Sequence, residues 1–241
     1  MTSLVFLHGV GGGHHAWDAQ LPFFAAHGYG AHAWDQPGYG ESASVEPYDL
    51  EQIAAALARL IHALDDGPVV LVGHSMGGFV AQETYVRHSE LVKGLVLSFT
   101  SPAFGGSGSD IARDFIAARI GPLDAGRTMA EVAAKVIPTM GSHSRLAERI
   151  MAGVPPETYR KAVRMLTAFD RRKELVAIAV PTLIVAGSED KVAPAPVMER
   201  MAQKIPGSEF VVLEGCGHLG PMDRPDAFND AVLAFLRRRA L

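Results

Sequence analysis

Pro68-Val69-Val70-Leu71-Val72-Gly73-His74-Ser75-Met76-Gly77-Gly78 is the stretch from which the rest of this chain can be read. Four consecutive aliphatic residues between a proline and a glycine predict a short strand. Their lack of alternation predicts burial on both faces, the mark of a parallel strand covered by helices. A helical pattern follows from Met76 to about His88. Ser75 therefore stands on a strand-to-helix turn, within Gly-x-Ser-x-Gly. On so tight a turn neighbouring side chains would collide, and glycines at 73 and 77 remove the collision. The hydroxyl is left clear of the backbone, at a helix N-terminus whose dipole favours developing negative charge. With a strand before it and a helix after it, the motif predicts a nucleophile rather than a plain turn.

Outward from this stretch, further apolar runs predict strands over residues 4–7, 29–34, 91–97, 181–186 and 209–213. Helical stripes lie between them. Asp49 and Gln52 form a candidate capping box ahead of Leu50, Ile53, Leu57, Leu60 and Leu64. Met198, Met201 and Ile205 make a second stripe. Phe228, Val232, Phe235 and Leu236, opened by Pro225, make a third. Alternating strands and helices predict an α/β fold with a mostly parallel sheet. Residues 101–180 break the alternation. Four apolar stripes at helical spacing occupy them: Ile111, Phe115 and Ile120; Met129, Val132 and Val136; Leu146 and Ile150; Tyr159, Val163 and Leu166. The run Gly105-Gly106-Ser107-Gly108-Ser109 introduces this block and Pro181 closes it. The expected organisation is a core of residues 1–100 and 181–241, with 101–180 inserted as a helical cap.

A serine hydroxyl needs a base. Of ten histidines, His218 alone sits in a loop after the last predicted strand and before the last helix. An open α/β sheet builds its site at the C-terminal ends of its strands, so His218 is placed to reach Ser75. The imidazole needs a carboxylate to orient it. Asp190 follows the strand at 181–186, with Glu189 the competing acid. Asp35 also ends a strand but reads as a loop-fixing residue. The order Ser75, Asp190, His218 suits an acyl-transfer triad on this kind of sheet. Such a site also needs donors for an oxyanion. The Met76 amide is one; Val10, in the loop His8-Gly9-Val10-Gly11-Gly12-Gly13, is the other, with Gly11 second. That loop lacks the Lys-Ser/Thr of a phosphate-binding loop. His8, Gly9, Gly11 and His74 are expected beside the substrate, and the His74 ring behind the turn. His14 and His15 read as exposed loop residues, and Cys216 as a buried, inert thiol. No cluster has zinc-ligand spacing, so neither metal nor cofactor is expected.

The bulk numbers agree. With 241 residues and 48% hydrophobic composition, a single domain is expected. A net charge of −4 gives no electrostatic basis for nucleic-acid binding. Arg237, Arg238 and Arg239 read as a solvated last helical turn. One cysteine excludes an intrachain disulfide and suits a reducing compartment. No run approaches the roughly 18 apolar residues of a membrane span, and no signal-peptide pattern opens the chain. A cytoplasmic protein with a small-molecule substrate is the expectation.

Taken together, the residues resemble the α/β-hydrolase superfamily. The resemblance rests on His8-Gly9, Trp17, Asp35-Gln36-Pro37-Gly38-Tyr39-Gly40-Glu41-Ser42, Gly73 to Gly78, Gly187 to Asp190, and Gly217-His218. It extends over most of the chain apart from the inserted block and is greatest for the small cap-bearing branch. It implies a helical cap over the sheet and hydrolysis of a small carboxylic ester or enol-lactone through an acyl-enzyme. Carbon–carbon or carbon–nitrogen hydrolysis by the same triad, cofactor-free haloperoxidase or perhydrolase chemistry, and a slow-turnover ligand receptor are the alternatives. Serine at 75 argues against the branches that use an aspartate nucleophile. Relatives usually carry an antiparallel hairpin before the His-Gly strand; here Met1 lies almost on that strand. Six parallel strands in the order 2-1-3-4-5-6 are therefore expected. The strand at 29–34 is left as an exposed edge, which predicts a homodimer contact there.

Overall fold

The computed structural model describes residues 1–105 and 108–241; Gly106 and Ser107 of the predicted glycine–serine run lie outside the described residues. Strands β1 (Ser3–Leu7), β2 (Gly30–Trp34), β3 (Val69–His74), β4 (Val92–Ser98), β5 (Thr182–Gly187) and β6 (Glu209–Leu213) form one sheet. Its order is β2-β1-β3-β4-β5-β6 and every ladder is parallel, as expected from the sequence. β3 continues through Gly73 and His74, which pair with Leu97 and Ser98 of β4. The backbone ladder carries the strand past the point where the aliphatic run stops.

Helix α1 (Gln20–Ala26) follows β1, and α2 (Leu50–Leu64) and α3 (Met76–Arg87) flank β3 in the chain. Between β4 and β5 come α4 (Asp110–Asp124), α5 (Met129–Thr139), α6 (Arg145–Ala152) and α7 (Pro156–Leu166). The chain closes with α8 (Ala195–Ala202), the short α9 (Gly220–Asp223) and α10 (Pro225–Arg238). Alternate residues of each central strand serve opposite faces. Leu4, Phe6, Val70, Val72, Leu183 and Val185 pack with α1 and α10 in one apolar cluster. Val5, Leu7, Leu71, Leu95, Leu97 and Ile184 pack with α2, α3 and α8 in another, which continues into α4 to α7. This two-sided burial is why the strand runs show no polar alternation.

Helix starts follow local chemistry. The Asp49 carboxylate accepts the Gln52 amide at 2.8 Å. A reciprocal capping box forms at α5, where Thr128 and Glu131 satisfy one another's backbone amides. The stripe predicted over Ile111, Phe115 and Ile120 is corrected by the structure: Ile111 is 66% exposed, and Ala112, Arg119, Ile120 and Leu123 are buried. At 3.6 residues per turn, positions 111 and 120 lie on opposite sides of a helix, so one face cannot bury both.

Candidate active site

Because all six strands run the same way, their C-terminal ends share one edge, and the predicted chemical residues gather there. Ser75 leaves β3 with φ 54° and ψ −117°, a conformation that side-chain-bearing residues rarely adopt. Its amide donates to the Ser98 carbonyl at 3.0 Å, and the Thr100 hydroxyl donates to its carbonyl at 2.8 Å. Both bonds hold the turn against β4. The glycines act as expected: a Cβ on Gly73 would strike the backbone of Gly77, and one on Gly77 would strike the Leu7 carbonyl.

The structure brings Ser75, His218 and Asp190 into one hydrogen-bonded row. Ser75 Oγ lies 2.9 Å from His218 Nε2, and His218 Nδ1 lies 2.8 Å from Asp190 Oδ2. With Nδ1–H donating to the carboxylate, Nε2 is free to accept the serine proton. Asp190 Oδ1 accepts the Val192 and Ala193 amides at 2.7 and 3.0 Å. Burial pushes the Asp190 carboxyl up, but the His218 hydrogen bond and charge, with the two amides, outweigh it and hold the group below the usual carboxylate range. Glu189, the competing acid, is exposed. The His218 amide donates to the Met140 carbonyl, at the end of α5, at 2.9 Å.

One buried imidazole supports this row in neutral form, and a second braces the nearby glycine loop. His74 Nε2–H donates to the His218 carbonyl at 2.8 Å. Burial, reinforced by the neighbouring His218, pulls its pKa down to about 3. Its ring sits behind the turn and lines a side cavity. His8 was expected beside the substrate; the structure places it elsewhere. It is fully buried, its Nδ1–H donates to the Gly9 carbonyl, and its Nε2 accepts the Gln36 amide. Burial lowers its pKa to about 4. With both nitrogens engaged, it braces the loop, and it is not among the residues lining the Ser75 cavity. His14 is tied to Asp35, the loop-fixing carboxylate, at 2.6 Å.

Ser75 and His218 line a cavity, with Val10 and Met76 beside them. Its walls are largely apolar, drawn from Phe79 and Phe99 of the sheet side and Phe104, Phe115 and Leu166 of the helical block. A second cavity shares Val10 and Met140 with it and is lined by Gly9, Gly11, Gly12 and His74. Val10 lies in a turn closed by the Gly12 amide on the Gly9 carbonyl, at 2.9 Å. Met76 is the first residue of α3, where a helix leaves its amides without intrahelical partners. Among the described residues no group of three or more His, Cys, Asp or Glu could hold a metal ion, and no helix is long and apolar enough to cross a membrane.

Sequence reasoning missed Thr100, Phe99 and Arg119. Thr100 and Phe99 gave no signal, since their contacts with Ser75 and with the His218 ring exist only once β4 is paired. Arg119 was hidden by the misassigned stripe on α4.

A strained serine on a strand-to-helix turn, hydrogen-bonded to a histidine at the C-terminal edge of a 2-1-3-4-5-6 sheet, places the molecule among the α/β hydrolases. The family model described as "Alpha/beta hydrolase family" matches residues 4–231, and the chain belongs to that family. BpoC of Mycobacterium tuberculosis, which bears the name of a non-heme bromoperoxidase, is 30% identical over 253 residues, covering 96% of this chain and 92% of its own. The pimeloyl-[acyl-carrier protein] methyl ester esterase of Vibrio cholerae is 31% identical over 245 residues, covering 98% and 94%. Among solved structures, a thermophilic esterase from Thermogutta terrifontis superposes with a TM-score of 0.87 at 28% identity, covering 100% of this chain and 91% of its own.

Proposed function

We propose that this chain is a serine hydrolase that opens a small carboxylic ester or lactone through an acyl-enzyme, with residues 101–180 as a cap over the site. The observation that carries this reading is the Asp190–His218–Ser75 row, ending on a hydroxyl that lines a mostly apolar cavity. Nε2 of His218 takes the Ser75 proton as Oγ attacks the substrate carbonyl. The oxyanion is received by the Val10 and Met76 amides. The imidazolium, oriented by ionised Asp190, then protonates the leaving alkoxide, and the carbon–oxygen bond breaks. A water deprotonated by the same imidazole attacks the acyl-enzyme, releasing the acid and restoring Ser75. His74, held neutral, adds no competing charge next to the imidazolium.

The test is a burst experiment on p-nitrophenyl acetate together with a fluorophosphonate label. Wild-type protein is expected to release stoichiometric p-nitrophenol ahead of steady turnover and to take the label at Ser75. Ser75→Ala is expected to lose both, with kcat falling roughly 10⁴- to 10⁶-fold. Turnover unaffected by that substitution removes Ser75 from the reaction. A second reading, with hydrogen peroxide replacing water at the acyl-enzyme, is favoured by the relative named for bromoperoxidase chemistry. Bromination dependent on peroxide, bromide and a carboxylic acid is its signature.

A further inference from the structure

The wall of the Ser75 cavity carries one feature that ester hydrolysis does not use. Arg119, on α4, lines the same cavity as Ser75 and His218. It is only 9% exposed, and its Nη1 is buried without a hydrogen-bond partner. No carboxylate pairs with it among the described residues. The guanidinium lies over the Phe115 ring, 5.3 Å from its centroid. The buried Tyr159 hydroxyl lies beside the guanidinium and interacts with it, but a neutral phenol leaves the charge uncompensated. A guanidinium stays protonated at every physiological pH, so it cannot shed its charge to suit a dry site. Buried charges are ordinarily paired. Here no anionic partner is found among the described residues, and the side chain lines the substrate cavity on one side and a smaller pocket beside Pro122 and Lys135 on the other; only the first of these adjoins Ser75.

We propose that Arg119 binds a carboxylate carried by the substrate, so that the natural substrate is a half-ester of a dicarboxylic acid or a carboxylate-bearing lactone. This rests on the ester-cleaving reading of the Ser75 site and narrows its substrate class. Chemistry favours a carboxylate over a more heavily hydrated anion. The planar fork of the guanidinium matches a carboxylate in two parallel hydrogen bonds, and the surrounding aromatic walls suit the methylene chain between the two ends. The Asp190 carboxylate does not compete for Arg119, since its oxygens are taken by His218 and two amides.

The experiment pairs the monomethyl and dimethyl esters of succinic, glutaric and adipic acids, which differ at each length only in the distal charge. Wild-type protein is expected to prefer the half-ester of at least one length by roughly 30-fold or more in kcat/KM, the low end of what truncating one partner of a buried charge pair costs. In Arg119→Met that preference collapses at least tenfold, chiefly through KM of the half-ester, and Arg119→Lys restores part of it. Equal kcat/KM for both members of every pair in wild-type protein overturns the proposal, as does a preference untouched by Arg119→Met. Calorimetric binding of the free dicarboxylates and of inorganic phosphate to Ser75→Ala separates this failure from failure of the ester reading. Arg119-dependent dicarboxylate binding without ester turnover keeps the anion site and discards the ester chemistry. Turnover without such binding does the reverse. Phosphate binding more tightly than any dicarboxylate overturns the carboxylate assignment.

Discussion

The floor and the roof of the Ser75 cavity are made in different ways. The floor is built from strand ends. Ser75 follows β3, Asp190 follows β5 and His218 follows β6, each within a few residues of a paired strand. Their positions are over-determined: two backbone bonds hold Ser75, two amides and a ring hold Asp190, and two bonds to the main chain of residue 218 hold the histidine loop. The roof, from α4 to α7, is joined to the sheet mainly through apolar side chains, and it leaves a guanidinium nitrogen unsatisfied. The difference teaches where each property resides. A floor whose Ser75, His218 and Asp190 are each held by hydrogen bonds is pre-organised. A roof of mixed apolar surface with one unpaired charge sets which molecule the reaction is performed on.

Substitutions can break or sharpen that contrast. The largest effects belong to the floor. Asp190→Asn removes the carboxylate that fixes the His218 tautomer and is expected to lower kcat by roughly 10⁴-fold, close to the loss in Ser75→Ala, with little change in the thermal midpoint. A roof substitution lowering kcat by the same factor with KM unchanged dissolves the distinction.

The next effect is one of stability and also lies under the floor. His8 and His74 titrate near 4 and 3 when folded, against 6.5 when exposed. Between these values the unfolded chain binds more protons than the folded one, so stability is full above pH 6.5 and falls as the pH drops. At pH 4 His8 alone is expected to remove on the order of 3 kcal/mol. Denaturant midpoints measured from pH 7 to pH 4 read this out, and His8→Gln flattens the slope. A midpoint constant over that range contradicts the buried neutral assignment.

Smaller effects separate the two sides of one roof helix. Ile120→Ala is expected to cost roughly 2–5 kcal/mol of unfolding free energy, as a fully buried side chain does. Ile111→Ser, on the exposed side, should stay within about 0.5 kcal/mol. Equal costs in urea titrations place α4 in a different rotation and detach Arg119 from the cavity.

The same contrast governs what could be read from the sequence. Floor residues announce themselves because steric necessity restricts the choice. Only glycine fits at 73 and 77, and only a run of aliphatics fits a strand covered on both sides. Sheet order, strand identity and the placement of Ser75, Asp190 and His218 at one edge were legible on that basis. His8 misled because a histidine beside a glycine loop looks like a ligand-facing group until Gln36 is seen to occupy its second nitrogen. The roof was less legible because amphipathic helices tolerate many sequences and their rotation is set by tertiary contact. A spacing error of one residue placed Ile111 inside and left Arg119 unremarked. Thr100 and Phe99 act through pairing partners distant in the chain, and no local pattern encodes that.

The bond from the His218 amide to the Met140 carbonyl joins these two constructions next to the reacting groups. A shift of α5 that carried Met140 away would pull on the imidazole loop before it disturbed the serine. The helical block is therefore mechanically geared to the proton carrier: small ligands or substitutions that displace the last turn of α5 act on turnover from a distance, with the alcohol and its glycine turn left in place.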